Sequence, residues 1–445
     1  MADAVAALSG ACAALRPGEP ADEVRGLVPA AVAAPASVAE ASRLLRAASD
    51  KGLAVLPRGA GTKLGWGTPP DRLDLVVDTT RLDQVIEHAA GDLVVRVQAG
   101  IGMAALAAVL AKAGQQLALD PVGGAGGAGG ADGPEGAAGG TGGTVGGVIA
   151  TGAAGPRRLR YGTPRDLLIG ITVVLADGTV ASSGGKVVKN VAGYDLGKLF
   201  AGSLGTLGLI AEAAFRLHPL PAAAGYVTAT YESPAGALDR IQAAIGSQLV
   251  PSAAEIDRPE PGAPVSVALL LEGSEEAIPE RLARMRDVLG TGAQAGATPP
   301  PWWERSPASA EGTLLRIAFP AAALAGVLDA ADAAADKAAS DHDTAKLSPA
   351  IRGSAGAGVL EAGLDASASP EAVRSFVEDL RRHLAMPPAW GDVPSGSVTI
   401  VRGPAVVRRA TDPWGPVPAL SLMRAVKDQF DPGHLMSPGR FAGGI

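Results

Sequence analysis

The residues that combine chemistry with defined spacing lie between Thr144 and Gly208. Tyr161, Asp166, Lys189, the chain's single asparagine Asn190, Tyr194 and Asp195 stand there among glycine clusters at 146–147, 152–155 and 202–208. Glycine lets a ligand approach the backbone amides closely, and here it alternates with β-branched runs. The layout expected is a large phosphate-bearing cofactor lying across strand ends. Glycine alone carries no weight, because 60 of the 445 residues are glycine, against a usual share of about 7%. A second stretch, Pro57-Arg58-Gly59-Ala60-Gly61-Thr62-Lys63, follows a strand expected at 53–56. Consecutive amides in such a turn form a concave nest that holds a diphosphate without help from side chains.

Two tempting patterns are set aside. No Gly-Lys-Ser/Thr follows the first turn, so it is not a Walker sequence, and the formal fingerprint from Gly124 to Gly129 has neither a strand before it nor a helix after it. The whole run 122–143 reads as a flexible Gly/Ala insertion.

Composition narrows the function classes. The single cysteine, Cys12, excludes an internal disulfide and an iron-sulfur cluster held by this chain, which needs about four thiolates. A net charge of −7 without a basic run argues against nucleic acid or an anionic membrane as partner. The N-terminus lacks a basic n-region, and no uncharged apolar run reaches the roughly 18 residues of a membrane span without glycine. The expected location is cytoplasmic, with any membrane association made through partner subunits. At 445 residues the chain exceeds what one core fills, so two domains are expected.

The elements that position these residues follow from periodicity and punctuation. Ser37 caps a helix running to residue 49, strands are expected at 73–78 and 93–98 with a helical turn at 82–88 between them, and a helix runs over 103–113. Segments 167–175 and 180–182 form a hairpin over Asp177-Gly178, and 207–217 is a strand. Beyond a Pro/Ala-rich linker at 220–224 glycine thins and a β-α-β-β-α pattern occurs twice, with helices at 234–245, 275–289, 321–335 and 370–384. This predicts an antiparallel sheet with helices on one face. A final helix at 418–430 leads to the turn-rich tail. The fold class is α+β, divided as an N-terminal segment 1–35, a cofactor domain 36–219, a cap 220–417 and a returning tail 418–445.

PRGAGT, TVGG, GPRRLRYGTPRD, KNVAGYDL, GSLGTLG and DPGHLMSPGR, in that order, resemble the FAD-binding family of vanillyl-alcohol oxidase and p-cresol methylhydroxylase. Within it they are most similar to the FAD-binding E subunits of bacterial glycolate oxidases. The resemblance implies a PCMH-type two-part FAD-binding domain with non-covalent FAD. Arg58, Gly59, Ala60, Gly61, Thr62 and Lys63 would wrap the diphosphate through their amides. Val145, Gly146, Gly147, Thr151, Tyr161, Gly162 and Asp166 would line the flavin and ribityl chain, and Gly205 and Ile210 the adenosine half. Pro438, Gly439 and Arg440 would return the tail to this domain, and Pro121 is counted with the cofactor residues. Three departures stand out: Leu204 where the family often has glutamate, Ser437 where it often has asparagine, and the long glycine insertion.

Oxidation of a 2-hydroxy acid needs a cation for the carboxylate, a base for the hydroxyl proton and a flavin to take the hydride. The catalytic subunits that this chain resembles carry a histidine-rich stretch in the second domain, which is missing here. His88 and His383 read as surface helix residues, His342 as a loop residue and His218 as a turn residue. No residue is assigned as catalytic, and the candidates are Lys186, Lys189, Tyr194 and His434. Arg316, Arg352 and Arg402 fall in cap strands, where salt bridges, a substrate carboxylate or a redox partner are the alternatives. Trp302-Trp303 reads as a buried plug or a protein contact. The resemblance implies oxidation of glycolate in a complex with a homologous catalytic flavin subunit and an iron-sulfur subunit. A stand-alone FAD-linked dehydrogenase and a non-catalytic FAD-binding assembly module are the rival readings.

Overall fold

A computed structural model describes residues 5–6, 8–121, 142–185, 194–342, 347–385 and 396–445. Lys186, Lys189, Asn190 and the glycine run 122–141 lie outside the described residues. The chain divides into two compact units, one comprising Met1–Ala154, Gly162–Leu220 and Val417–Ile445, the other Gly155–Tyr161 and Pro221–Pro416.

The first unit holds two sheets. Strands β1 (Leu15–Pro17), β2 (Ala31–Ala33), β3 (Val55–Arg58) and β4 (Leu75–Asp78) form one, in the order β1-β2-β4-β3. β4 runs parallel to both β2 and β3. The connection from β2 to β3 is the helix Val38–Asp50, whose Ala41, Leu44, Leu45 and Ala48 recur at helical spacing and are buried. Its start is fixed by Ser37 Oγ, which accepts the Glu40 amide at 3.1 Å.

The second sheet is antiparallel: β5 (Val85–Ala89), β6 (Val94–Gln98), β8 (Leu168–Val174), β9 (Val180–Gly184) and β10 (Leu209–Arg216), in the order β5-β6-β10-β8-β9. The helical turn expected at 82–88 is replaced by strand β5, which pairs with β6 across a single 3-10 turn. Val85 and Ile86 are β-branched and suit a strand, and the neighbouring β6 supplies the ladder. The β8-β9 hairpin turns at Asp177-Gly178, where the Asp177 carboxylate accepts the Thr179 amide at 2.8 Å. Two short strands, β7 (Gln115–Gln116) and β11 (His218–Pro219), pair separately.

Sequence reading gave Val145–Thr151 no element of its own. It is a helix, because Thr144 Oγ1 accepts the Gly147 amide at 3.3 Å and Gly152, at φ +62°, closes the other end. Val145, Val148 and Ile149 then fall on one face and join the core of this unit. The tail contributes the helix Leu420–Phe430 and a bridge beside β3: the Val55 amide donates to Leu435 at 2.8 Å and the Ser437 amide to Val55 at 2.7 Å.

The second unit is built on one antiparallel sheet of eight strands: β12 (Ala223–Tyr231), β13 (Ala253–Arg258), β14 (Val265–Gly273), β15 (Gln294–Gly296), β16 (Thr313–Ala318), β17 (Ala350–Ser354), β18 (Val359–Leu364) and β19 (Ser397–Arg402). Their order, β15-β12-β14-β13-β17-β18-β16-β19, sets two similar halves side by side, joined by β13 and β17. Alternate strand residues such as Val267, Leu269, Ile256, Ile317 and Leu360 share one core with the helices Pro234–Ile245, Ala277–Leu289, Leu324–His342 and Pro370–Leu384. This is the antiparallel sheet with helices gathered on one face that the duplicated pattern predicts, and the α+β class holds.

Trp303 packs with Ala253, Ala268 and Leu270 in a separate cluster that Tyr226 and Trp302 flank. Of the alternatives for the tryptophan pair, the plug describes Trp303. The three arginines are engaged within the unit: Arg316 with Glu361 at 3.3 Å, Arg352 with Asp257 at 2.6 Å, and Arg402 with the carbonyls of Ser309 and Ala310 at 2.6 Å each.

Candidate functional site

In the first unit β3 ends at Arg58 and the chain turns through Gly59 to Leu64, forming one wall of a cleft. Thr144, Gly146, Gly147, Val148, Ala150 and Thr151, on and before the 145–151 helix, form a second wall. Leu204, Gly205, Gly208, Leu209 and Ile210 close it, together with Arg440 from the tail.

The glycines mark where backbone comes close. A Cβ on Gly59 would lie 2.1 Å from Thr144 Oγ1, one on Gly146 would lie 2.8 Å from Ala99 Cβ, and Gly61 and Gly205 both have φ +77°. Loop and helix therefore approach each other as only glycine permits. Leu204 also takes a positive φ, 52°. Its side chain lines the cleft where the resembled family often places glutamate.

Charge in the cleft is positive. The Arg58 guanidinium is held by Asp22 and Asp78 at 3.1 Å each, and its carbonyl accepts the Thr79 amide at 2.8 Å. Hydrogen bonds from Arg16 lead the causes that hold the Asp22 carboxyl down at about 2. Lys63 has no carboxylate within ion-pair distance among the described residues, its ammonium sits 5.9 Å over the Trp66 ring, and burial lowers its pKa to about 8. Arg440 is 4% exposed and donates to the carbonyls of Leu64 at 3.0 Å and Trp66 at 2.8 Å. Its Nε is buried without a partner, and burial draws its pKa down to about 10. Close-approach glycines, and Lys63 and Arg440 without an ion pair among the described residues, fit a diphosphate-bearing cofactor.

The structure gathers Arg58, Gly59, Ala60, Gly61, Thr62, Lys63, Gly146, Gly147, Thr151, Gly205, Ile210 and Arg440 around this cleft. The other sequence-derived residues have local duties. Val145 is buried in the first turn of the 145–151 helix, and Pro121 is buried. Gly162 has φ +82°, and a Cβ there would strike Asp166 at 2.7 Å. Asp166 accepts the Thr163 amide and hydroxyl at 2.8 Å each; burial works to raise its pKa, and these bonds bring the balance below the ordinary value. Pro438 accepts the Asp71 amide at 2.9 Å, and a Cβ on Gly439 would strike the Asp71 carboxyl. Tyr161 belongs to the second unit, where its hydroxyl donates to Glu272 at 2.9 Å, and burial followed by that carboxylate pushes its pKa up.

Neither described catalytic candidate reaches the cleft. Tyr194 is 89% exposed, and His434, at φ +50°, pairs with Asp428 at 2.9 Å on the surface. His88 lies on β5, not on a helix, and meets Gln115 at 2.9 Å. Among the described residues lining the cleft there is no histidine, cysteine or carboxylate. Sequence reading missed Leu64, Thr79 and Thr144, although the last carried a usable signal as a threonine placed to cap a helix.

Comparison with known proteins places this geometry. Residues 29–184 match the family described as FAD binding domain, so the cofactor is FAD. The chain is 34% identical over 233 residues to "Glycolate oxidase subunit GlcD" of Bacillus subtilis, covering 52% of this chain and 46% of that protein. It is 34% identical over 188 residues to a D-lactate dehydrogenase of Archaeoglobus fulgidus, covering 42% and 38%. It is 35% identical over 193 residues to a D-2-hydroxyglutarate dehydrogenase of Xanthomonas citri, covering 43% and 38%. The chain thus spans less than half the length of these relatives. Among solved structures it is similar in fold to an alkyldihydroxyacetonephosphate synthase, with TM-score 0.66 and 19% identity over 92% of this chain and 76% of that one. It also resembles FgChi7B, with TM-score 0.65 and 16% identity over 98% and 97%.

Proposed function

We propose that this chain, whose residues 29–184 are an FAD-binding domain, is the FAD-binding subunit of a complex that oxidises glycolate to glyoxylate. FAD supplies the hydride acceptor. The chain's own residues would hold it: the amides of Arg58 to Lys63 at the diphosphate, Gly146, Gly147 and Thr151 along the helix wall, Gly205 and Ile210 opposite. The observation that carries the subunit reading is the lining of the cleft, which has cations but, among the described residues, no histidine, cysteine or carboxylate to take the hydroxyl proton. A catalytic flavin subunit would provide that base, and an iron-sulfur subunit would take the two electrons onward.

The coarser reading, an FAD-linked dehydrogenase of a 2-hydroxy acid, draws support from relatives named for glycolate, D-lactate and D-2-hydroxyglutarate. Those names also favour a second reading, a stand-alone dehydrogenase of another such acid. Purified chain assayed with glycolate, D-lactate and D-2-hydroxyglutarate and a dye acceptor separates the two. The subunit reading expects negligible turnover alone and turnover on glycolate after co-expression with the flavin and iron-sulfur partners. Substantial turnover by the isolated chain would replace it with the stand-alone enzyme.

A further inference from the structure

We propose that Lys427 is a positioning residue for the cofactor cleft: from the C-terminal helix it holds the turn 203–208 in its cofactor-binding shape, so that FAD binding and docking of the tail strengthen each other. An ammonium has three protons to donate, and only one of those on Lys427 goes to its counter-ion Asp431, at 2.7 Å. The other two reach carbonyls of separate segments, Thr206 at 2.7 Å and Met436 at 2.9 Å. Lys427 and Asp431 are 0% exposed and Thr206 is 1% exposed, so water does not stand in for either bond.

The turn needs such a tie. Leu204, Gly205 and Gly208 line the cleft and have φ of +52°, +77° and +152°, and left-handed backbone is unfavourable for a residue with a side chain, as Leu204 has. One side of the turn is fastened to the helix 145–151, where the Gly202 amide donates to Ile149 at 2.9 Å and the Leu204 amide to Ala150 at 2.7 Å. Lys427 fastens the other side. Without it the buried Thr206 carbonyl would lose its ammonium donor, and the turn would reshape to find another. The same ammonium holds Met436 and, through Asp431, the amides of Leu435 at 3.0 Å and Met436 at 2.7 Å. Ser437 stands directly behind Gly205, its Oγ 3.3 Å from where a Cβ would lie. Tail and turn therefore share one fastening. The inference rests on the placement of FAD in this cleft proposed above. By linkage, whatever factor the docked tail adds to FAD affinity, bound FAD returns to docking of the tail.

The test compares the unaltered full chain with Lys427→Met and Lys427→Met/Asp431→Asn, reading melting, FAD affinity by calorimetry after removal of bound flavin, and amide hydrogen exchange in the tail. Lys427→Met should bind FAD about tenfold more weakly. The double variant removes the uncompensated carboxylate and should regain most of the lost melting temperature. Its FAD affinity should nonetheless stay about tenfold low, because no ammonium reaches Thr206. A residue that merely supports the fold would restore both together. In the unaltered chain FAD should slow exchange at Leu435, Met436 and Ser437 by about the same tenfold, a measurement that needs no variant to fold. Equal exchange with and without FAD, or full affinity in the double variant, overturns the proposal. Lys63→Met serves as the control on the cleft itself. If it weakens FAD and the Lys427 variants do not, the placement of FAD stands and this proposal falls; if none of these variants alters FAD affinity, the placement falls as well.

Discussion

Lys63 has the most readable consequence at the scale of a single residue. Burial takes its pKa from 10.5 to about 8, so between those values the unfolded chain carries a proton that the folded chain lacks. Ligand-free stability therefore rises with pH across that window. Attraction for a diphosphate runs the other way, because it needs the charged amine. FAD affinity is expected to decline as pH is raised above about 8, and Lys63→Met should bind weakly at pH 7 and 9 alike; fluorescence of released FAD follows both, and a pH-independent affinity in the unaltered chain would reject the assignment. The glycines of the same loop make a finer comparison. Gly61 has φ +77° but only Leu64 Cδ1, at 3.6 Å, near a new Cβ, so Gly61→Ala should cost about 1–2 kcal/mol from backbone strain. At Gly59 the new methyl would displace Thr144 and with it a helix cap worth about 1 kcal/mol in addition to the clash. Denaturant midpoints should place Gly59→Ala below Gly61→Ala, and the reverse order would mean that the loop is not held against the 145–151 helix.

Among the elements, the tail is held by a buried pair that sequence reading passed over. Lys427 on the helix Leu420–Phe430 donates to Asp431 and to the Thr206 carbonyl at 2.7 Å each, and to the Met436 carbonyl at 2.9 Å. Asp431 also accepts the amides of Leu435 and Met436. Burial lowers the Lys427 pKa and Asp431 opposes that. Lys427→Met leaves a carboxylate buried without its cation and should cost about 3–5 kcal/mol, read as a lower unfolding midpoint with reduced FAD retention. An unchanged midpoint would show that the tail is fastened elsewhere. What the sequence made legible was local: Ser37 as a cap, Asp177-Gly178 as a turn, and the helices Pro234–Ile245 and Pro370–Leu384 by their periodicity. What escaped it depends on distant partners. Residues 85–89 become a strand because β6 is there to pair with, and Lys427 at four residues from Asp431 looks like any solvated helix pair until residues 206 and 436 close over it.

For the whole molecule, the cleft lining bears on how the flavin is retained. With no histidine or cysteine among the described lining residues, FAD is expected to be non-covalent, and acid precipitation should release all of it to the supernatant; colour kept in the washed pellet would overturn this. No described helix is long and apolar enough to cross a membrane. The bridge between β3 and the tail has a consequence for synthesis. Val55 pairs with Leu435 and Ser437, so one edge of the first sheet is completed by residues made about 380 positions later, roughly 20–80 s at ordinary elongation rates. Throughout that interval the nascent chain presents an open β-edge, the kind of surface that recruits a neighbouring strand, while every residue of the second unit emerges. A ribosome-bound chain stopped before residue 431 should therefore be a substrate for holdase chaperones, and the same chain released after residue 440 should not.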